Sequence, residues 1–266
     1  MIELFGSPFM QKAFIAGILV SLLTGVISSF VVLRKMSFIG AGISHAAFGG
    51  VAIGFFIGVN PLATAIIYAI FVAIGIETTV RRGKISEDAS IGIFYSLSMA
   101  IGIALISLSK SYNIDLFGYL FGNILAITRQ DILLTLVTSI VVIGATLTFL
   151  KELFLITYNE ELARVSGVPV NLMNLLFLVA LSLAIVVSIR IVGIIMVSAL
   201  LVIPGATARL FARGLISMIA ISCLAGLASV LAGLVLSYEY DVAPGAGIVV
   251  TSAALFFAAL FLKKRG

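Results

Sequence analysis

The sequence predicts an all-α membrane protein, a single polytopic bundle of about nine spanning helices over residues 1–266. Hydrophobic residues make up 62% of the chain and charged residues only 10%, whereas soluble domains carry about a quarter charged residues. The apolar residues also fall into runs of about 20, which is the length of a helix that crosses a bilayer. The formal net charge of +5 is therefore not a nucleic-acid footprint, and membrane lipid is the expected surrounding.

The apolar runs justify each span in turn. Asn60-Pro61 makes the tightest connection. The seventh run is the least regular, because Gly193, Pro204 and Gly205 interrupt it. The count falls to eight if one run is re-entrant instead of spanning. The predicted spans are 12–33, 40–59, 61–80, 88–108, 130–150, 172–189, 191–208, 215–237 and 245–262.

The basic residues predict the orientation of these spans. An N-terminus outside and a C-terminus inside puts 12 of the 16 Lys and Arg residues on the cytoplasmic side of the inner membrane. Only Lys12, Lys110, Arg129 and Arg190 are then left outside. The positive-inside rule favours this arrangement.

The second span holds His45, the only histidine of the chain. Ionisable groups inside spans mark pathways by default, because lipid solvates them poorly. The alternative is a structural imidazole that bonds a backbone carbonyl or Ser44. One face of this span carries only small residues, which either pack closely against another helix or line a pathway. These residues are Gly42, Ala46, Gly50, Gly54 and Gly58.

Residues 158–168 predict a short cytoplasmic helix between the fifth and sixth spans. Asn159 can serve as its N-cap, and Gly167 is placed to end it. A short helix that is tethered to spans at both ends suits the transmission of force from a cytoplasmic partner. Its residues are Asn159, Glu160, Glu161, Leu162, Ala163, Arg164, Val165, Ser166 and Gly167, and its modest apolar side comprises Leu162, Ala163, Val165 and Ser166.

Two further features bear on function. Pro204 and Gly205 interrupt a span, which predicts a kink or, alternatively, the hinge of a gate. Glu87 and Asp88 begin a span from the inner side, where they complement the positive end of the helix or make a functional contact. The sequence has no phosphate-binding G-x-x-x-x-G-K-[ST] loop and no Cys/His cluster with zinc spacing, so it predicts no enzyme.

Several stretches together match a known family in their order and spacing. They are Phe9–Ala13, Val31–Arg34, Met36–Gly40, Ser44–Ala46, Glu87–Ile93, Tyr119–Leu125, Glu161–Val168 and Val197–Pro204. Over essentially the whole chain, these stretches resemble the integral-membrane permeases of zinc/manganese-type ABC importers.

The resemblance implies an all-helical permease of the type II ABC importer kind, which dimerises with a second copy around a central pathway. Separate ATP-binding subunits would drive it, so that ATP binds only to the partner, and Glu161–Val168 would be the coupling helix. An extracytoplasmic solute-binding protein would deliver zinc, manganese or iron, with no covalently bound cofactor. In many relatives an aspartate precedes the histidine by four residues. Here that position is Ala41, so only His45 is carried over as a metal contact.

Two alternatives remain open at this point. One is a permease of the related iron-siderophore and cobalamin class, whose substrates are bulky. The other is a secondary transporter that couples to ion gradients and acts alone. Such transporters hold several acidic residues at membrane depth and broken helices in both repeats. The few carboxylates of this chain lie in loops or at the ends of predicted helices.

Overall fold

The computed structural model describes residues 8–83, 85–109 and 127–264. Within these ranges the chain is helical and contains no strand, which confirms the all-α prediction. The helices are α1 Pro8–Leu33, α2 Ile39–Ile57, α3 Pro61–Gly83, α4 Glu87–Leu108, α5 Arg129–Thr148, α6 Leu150–Tyr158, α7 Glu160–Val165, α8 Val170–Val192, α9 Ile194–Leu200, α10 Ile203–Phe211, α11 Leu215–Tyr240 and α12 Pro244–Lys264. The resembling stretch Tyr119–Leu125 lies outside the described residues.

Nine segments of the described chain are long and apolar enough to cross a membrane, which confirms the predicted nine-span bundle. Eight of them are single helices, and α9 and α10 together form the remaining span, Ile194–Phe211. The short helices α6 and α7 lie between the fifth and sixth spans. The chain is therefore a multi-pass membrane protein.

The core of the bundle is built around α1 and α8. Leu23 and Phe30 on α1 and Leu181 and Ile185 on α8 are fully buried. α1 packs against α5 and α11, while α8 packs against α3 and α5. α2 packs between α3 and α4. Much of α4 and α12 is exposed, as expected for helices that face lipid or another subunit.

Several buried hydroxyl groups are satisfied within their own helices. The side chains of Thr24, Thr146 and Ser182 each donate to the carbonyl four residues earlier, at distances of 2.7, 2.8 and 2.8 Å. No water is at hand in the hydrocarbon region, so a hydroxyl bonded to its own helix can lie there at low cost.

The helical pattern breaks once just before the seventh span and once within it, and each break has a local cause. Gly193 separates α8 from α9 with φ 85° and ψ 161°, a conformation that is essentially restricted to glycine. Between α9 and α10 the chain turns at Leu201 and Val202. Pro204 lies in the first turn of α10, where its missing N–H leaves no intrahelical bond unmade.

Candidate functional site

His45 lies on α2, about two turns after the helix begins at Ile39. Its Nδ1 is 2.8 Å from the carbonyl oxygen of Ala41. A carbonyl can only accept a hydrogen bond, so Nδ1 is the donor here, and in a neutral imidazole Nε2 then carries the lone pair. The backbone contact that the structural alternative named is therefore present, and in the neutral ring it leaves Nε2 able to act as a ligand.

The imidazole is held from a second helix by Tyr95 of α4. The two rings meet edge to face, with their centroids 5.1 Å apart and an interplanar angle of 86°. A T-shaped aromatic contact fixes the tilt of the smaller ring. Together, the Ala41 carbonyl and the Tyr95 ring set the direction in which His45 points.

A cavity of about 410 Å³ lies beside His45, between α2 and α4. On the α2 side it is lined by Phe38, Ala41, Gly42 and His45, and on the α4 side by Asp88, Ile91, Gly92 and Tyr95. Gly92 faces open space, since a Cβ built on it would meet no atom within 4 Å. Small side chains thus leave the volume free, while an imidazole, a carboxylate and a phenol border it.

Asp88 is placed at this cavity by the start of α4. Ser86 is the N-cap, and its hydroxyl accepts from the Ala89 N–H at 3.2 Å. The cap fixes where the first turn begins, and Asp88 lies in that turn, next to Glu87. The cavity therefore receives one nitrogen donor from α2 and one carboxylate from α4. Within the described residues no group of three or more His, Cys, Asp or Glu side chains could hold a metal ion.

The small residues on one face of α2 have two roles: some pack closely against α3, and one borders the cavity. Added Cβ atoms at Gly50 and Gly54 would each lie 2.7 Å from a backbone carbon of α3, that of Ala65 and Pro61 respectively. Ala46 is fully buried. Gly42 borders the cavity, and an added Cβ there would overlap Ile91 of α4. Gly58 has φ 72° and ends the helix.

The short helix predicted between the fifth and sixth spans is present as α7, although it is shorter than residues 158–168. Asn159 is its N-cap and accepts from the Leu162 N–H at 2.9 Å. Beyond Val165 the chain turns at Gly167, whose φ is 83°. The Val168 N–H then bonds the Ala163 carbonyl at 3.0 Å, which closes the helix.

The apolar side of α7 is split between two directions. Ala163 is fully buried against Ile156, Val170 and Met173. Leu162 and Val165 are 47% and 87% exposed, so they point away from the bundle. The exposed polar residues of this segment are Glu160, Glu161, Arg164 and Ser166. A buried alanine therefore anchors α7, while its other apolar residues remain available for a partner.

Pro204 and Gly205 lie where α10 crosses α1. The Gly205 N–H donates to the Ser28 hydroxyl at 2.8 Å, and a Cβ at Gly205 would come 2.5 Å from the Ser28 carbonyl oxygen. Glycine is thus required here because the two backbones touch. The hinge interpretation of this pair stays a prediction.

The family can be assigned from the sequence match. The model of the ABC 3 transport family matches residues 6–263. The chain belongs to this family. Curated relatives of the chain include proteins named for manganese transport and for zinc uptake.

Curated relatives match over nearly their full length. The manganese transport system membrane protein MntC of Halalkalibacterium halodurans is 36% identical, with 99% of this chain and 90% of the relative covered. The high-affinity zinc uptake system membrane protein ZnuB of Haemophilus influenzae is 35% identical, with 95% and 97% covered.

The fold agrees with solved permease structures. PsaBC from Streptococcus pneumoniae in complex with Fab superposes with a TM-score of 0.86 at 37% identity, covering 97% of this chain and 93% of that one. An inward-facing putative metal-chelate type ABC transporter superposes at 0.72 with 16% identity, covering 96% and 89%, and supports the fold alone. The chain thus has the fold of a type II ABC importer permease.

Two residues that line the cavity, Tyr95 and Asp88, are not predicted as site residues by the sequence alone. No sequence pattern singles out Tyr95, and the position of Asp88 in the chain indicates chiefly a charge that complements the helix end. The available signal is spacing on α4, because Asp88, Gly92 and Tyr95 recur at intervals of four and three residues and share one face. That face becomes meaningful only when α4 is known to pack against the side of α2 that carries His45.

Proposed function

We propose that this chain is the membrane-spanning permease subunit of an ABC importer for a divalent metal ion, manganese or zinc. In this proposal a separate ATP-binding subunit docks on α7, an extracytoplasmic solute-binding protein delivers the ion, and a second copy of the chain completes the pathway. The N-terminus lies outside the inner membrane and the C-terminus inside. We call the end of the bundle with α7 the inner end and the opposite end the outer end.

The cavity between α2 and α4 is the observation that carries the proposal. A free imidazole nitrogen and a carboxylate oxygen suit a divalent first-row ion, since zinc favours nitrogen donors and manganese favours oxygen donors. The apolar remainder of the lining gives the ion few other partners, so His45 and Asp88 would be its first contacts in this chain. The relatives named for manganese and zinc transport support the same substrate class.

Docking of the partner ATPase is supported by the shape of α7. The helix is capped at its start, closed at its end and anchored through Ala163. Its outward residues, Leu162 and Val165, offer an apolar contact that nothing in the described chain covers. A rigid helix with an exposed apolar surface can pass a push from a partner to the adjoining spans.

Uptake of radioactive manganese and zinc by the native host tests the proposal. The host without this chain is compared with the same host carrying the wild-type chain, the variant His45→Ala, or the control variant Cys223→Ala on α11. We expect uptake to require the chain, and His45→Ala to lower it about tenfold at limiting metal, because one ligand is worth more than 1.4 kcal/mol. Cys223→Ala should transport normally, as it lies away from the cavity.

The contrary outcomes are specific. Unchanged uptake by His45→Ala at both limiting and saturating metal would remove this residue from the pathway. Uptake of an iron chelate without uptake of free metal would show a bulky-substrate permease instead. Transport by a chain that purifies repeatedly without any ATPase subunit would favour the secondary-transporter alternative.

A further inference from the structure

Arg34 is held at the inner end by the turn that follows α1. The backbone N–H of Arg34 donates to the Phe30 carbonyl at 2.9 Å, which continues the hydrogen-bond pattern of the helix. Lys35 then adopts a positive φ of 59°, and the Met36 N–H bonds the Val31 carbonyl at 3.0 Å. The turn sends the two cations in different directions. Lys35 is exposed to solvent, whereas the Arg34 side chain runs back into the bundle.

The Arg34 guanidinium joins the two helices that flank α7. Its Nε donates to Thr157 Oγ1 on α6 at 3.2 Å, and its Nη1 donates to Asn174 Oδ1 on α8 at 3.0 Å. The Phe177 ring of α8 lies under the guanidinium, 4.5 Å from Cζ to the ring centroid. Thr157 is two residues before Asn159, the N-cap of α7. A movement of α7 therefore reaches Arg34 through both of its neighbours.

One nitrogen of this guanidinium has no hydrogen-bond acceptor among the described residues. Arg34 Nη2 is buried and has no hydrogen-bond partner among the described residues. A buried charged donor without an acceptor is unfavourable, so a carboxylate that came within reach would be bound there. Two nitrogens of the Arg34 guanidinium, Nε and Nη1, therefore have hydrogen-bond acceptors, and the third, Nη2, has none among the described residues.

The charges around Arg34 indicate which carboxylate fits. Burial lowers the pKa of the Arg34 guanidinium, and the carboxylates of Glu87, Glu160 and Glu77 oppose that shift, with Glu87 the strongest of the three. Glu160 already pairs with Arg164 at 2.6 Å. Glu87 is the first residue of α4, directly before Asp88 of the cavity. Binding Glu87 at Nη2 would draw the inner end of α4, with the cavity that it lines, toward α6 and α8.

We propose that Arg34 is a positioning residue that couples α7 to the cavity: Nε and Nη1 hold α6 and α8, and Nη2 takes the Glu87 carboxylate in the other state of the transport cycle. The proposal rests on the proposed function, because it assigns a role within ATP-driven transport. It requires no contact between Arg34 and the transported ion. Its signature is a change in the number of metal ions moved per ATP hydrolysed.

The experiment uses the whole complex, purified from the native host and reconstituted in liposomes, with manganese or zinc as the transported ion. Metal transport and ATP hydrolysis are measured together. In Arg34→Gln we expect ATP hydrolysis to continue while the metal moved per ATP falls about tenfold, the effect of losing a charge-assisted contact. Lys35→Gln is the matched control, with the same chemical change at the adjacent residue, and should keep the wild-type ratio.

Two further variants separate positioning from simple folding. Arg34→Lys keeps the charge, but a lysine ammonium cannot hold Thr157 and Asn174 in the fork geometry of arginine. We expect normal amounts of complex with the ratio still low. Glu87→Gln should also lower the ratio, and it should add no further loss in the double variant, because Arg34→Gln has already removed the contact between Arg34 and Glu87.

Two results would overturn the inference. One is a wild-type ratio in Arg34→Gln, which includes an equal fall of transport and ATP hydrolysis, and the other is additive losses for Arg34 and Glu87. Failure of the proposed function is distinguishable, because then the unmodified complex moves no metal at all. The Arg34 variants test coupling through one quantity, the metal moved per ATP hydrolysed relative to the wild-type complex.

Discussion

At the outer end of the bundle Arg190 Nη1 lies 2.9 Å from Asp131 Oδ1, whereas at the inner end Arg34 bonds only uncharged side chains and keeps one nitrogen free. The outer pair is also braced within its own helix. Asp131 Oδ2 accepts from the Thr128 N–H at 2.9 Å and from the Thr128 hydroxyl at 2.7 Å. Every oxygen of the outer carboxylate thus has a partner.

The comparison distinguishes a fixed contact from an exchangeable one. A buried carboxylate that is both paired and capped loses several bonds if its helices separate, so α5 and α8 stay together at the outer end. An arginine that holds neutral groups and has a spare donor can gain a carboxylate without losing what it has. We therefore expect α5 and α8 to be static at the outer end and the motion of transport to occur at the inner end.

Arg190→Ala breaks the outer contact and should have the largest effect on stability. It leaves the Asp131 carboxylate, whose side chain is only 6% exposed, without its cation. We expect the free energy of unfolding to fall by about 2 kcal/mol, which is below the usual cost of breaking a buried pair because Arg190 is itself partly exposed. Thermal unfolding of the purified protein in detergent measures the loss.

The control for this variant is Arg129→Ala, which removes an exposed arginine at the same end of the bundle. Its unfolding temperature should match the wild type. If both variants unfolded at the same reduced temperature, the loss would come from general surface charge. The Arg190–Asp131 pair would then make no specific contribution to stability.

Asp131→Asn sharpens the comparison because it removes the charge and keeps an oxygen. The amide oxygen can still accept from Thr128, so the N-cap of α5 survives while the ion pair with Arg190 is lost. We expect a smaller loss, about 1 kcal/mol, in the same unfolding measurement. A loss larger than that of Arg190→Ala would mean that capping, not pairing, holds the outer end.

Arg164→Ala should have the smallest effect on stability. Arg164 pairs with Glu160 one turn earlier on α7, but both side chains are about half exposed, at 52% and 49%. Solvent-exposed pairs of this spacing contribute about 0.3 kcal/mol. We expect an unchanged unfolding temperature together with less ATPase subunit recovered in mild detergent. A clear drop in unfolding temperature would show that the inner end has its own clamp.

The sequence was sufficient for the spans and for the two residues that cap and close α7. Runs of apolar residues determine a spanning helix almost alone, because the lipid leaves few other solutions. Asn159 and Gly167 act on their own backbone neighbourhood, so their roles are readable from local chemistry. Only the length of α7 was overestimated, since its last turn already belongs to the closing bend.

The candidate site was predicted only in part. His45 was found because a lone imidazole in a span is conspicuous, but Asp88 reaches the cavity through the packing of α4 on α2, which no local pattern encodes. The same limit applies to Arg34, whose hydrogen-bond partners are 123 and 140 residues away in the chain. Contacts over such separations depend on which helices become neighbours, and that is a property of the assembled bundle.

The glycine contacts of α2 have a mechanical consequence. An added Cβ at Gly49 would lie 2.7 Å from the Ser98 carbonyl oxygen of α4, just as Gly50 and Gly54 meet α3. The Tyr68 hydroxyl of α3 also donates to Ser98 at 3.1 Å. Helices in such intimate contact cannot slide past one another without first separating. We therefore expect α2, α3 and α4 to move together, as one unit, wherever transport requires movement of the cavity.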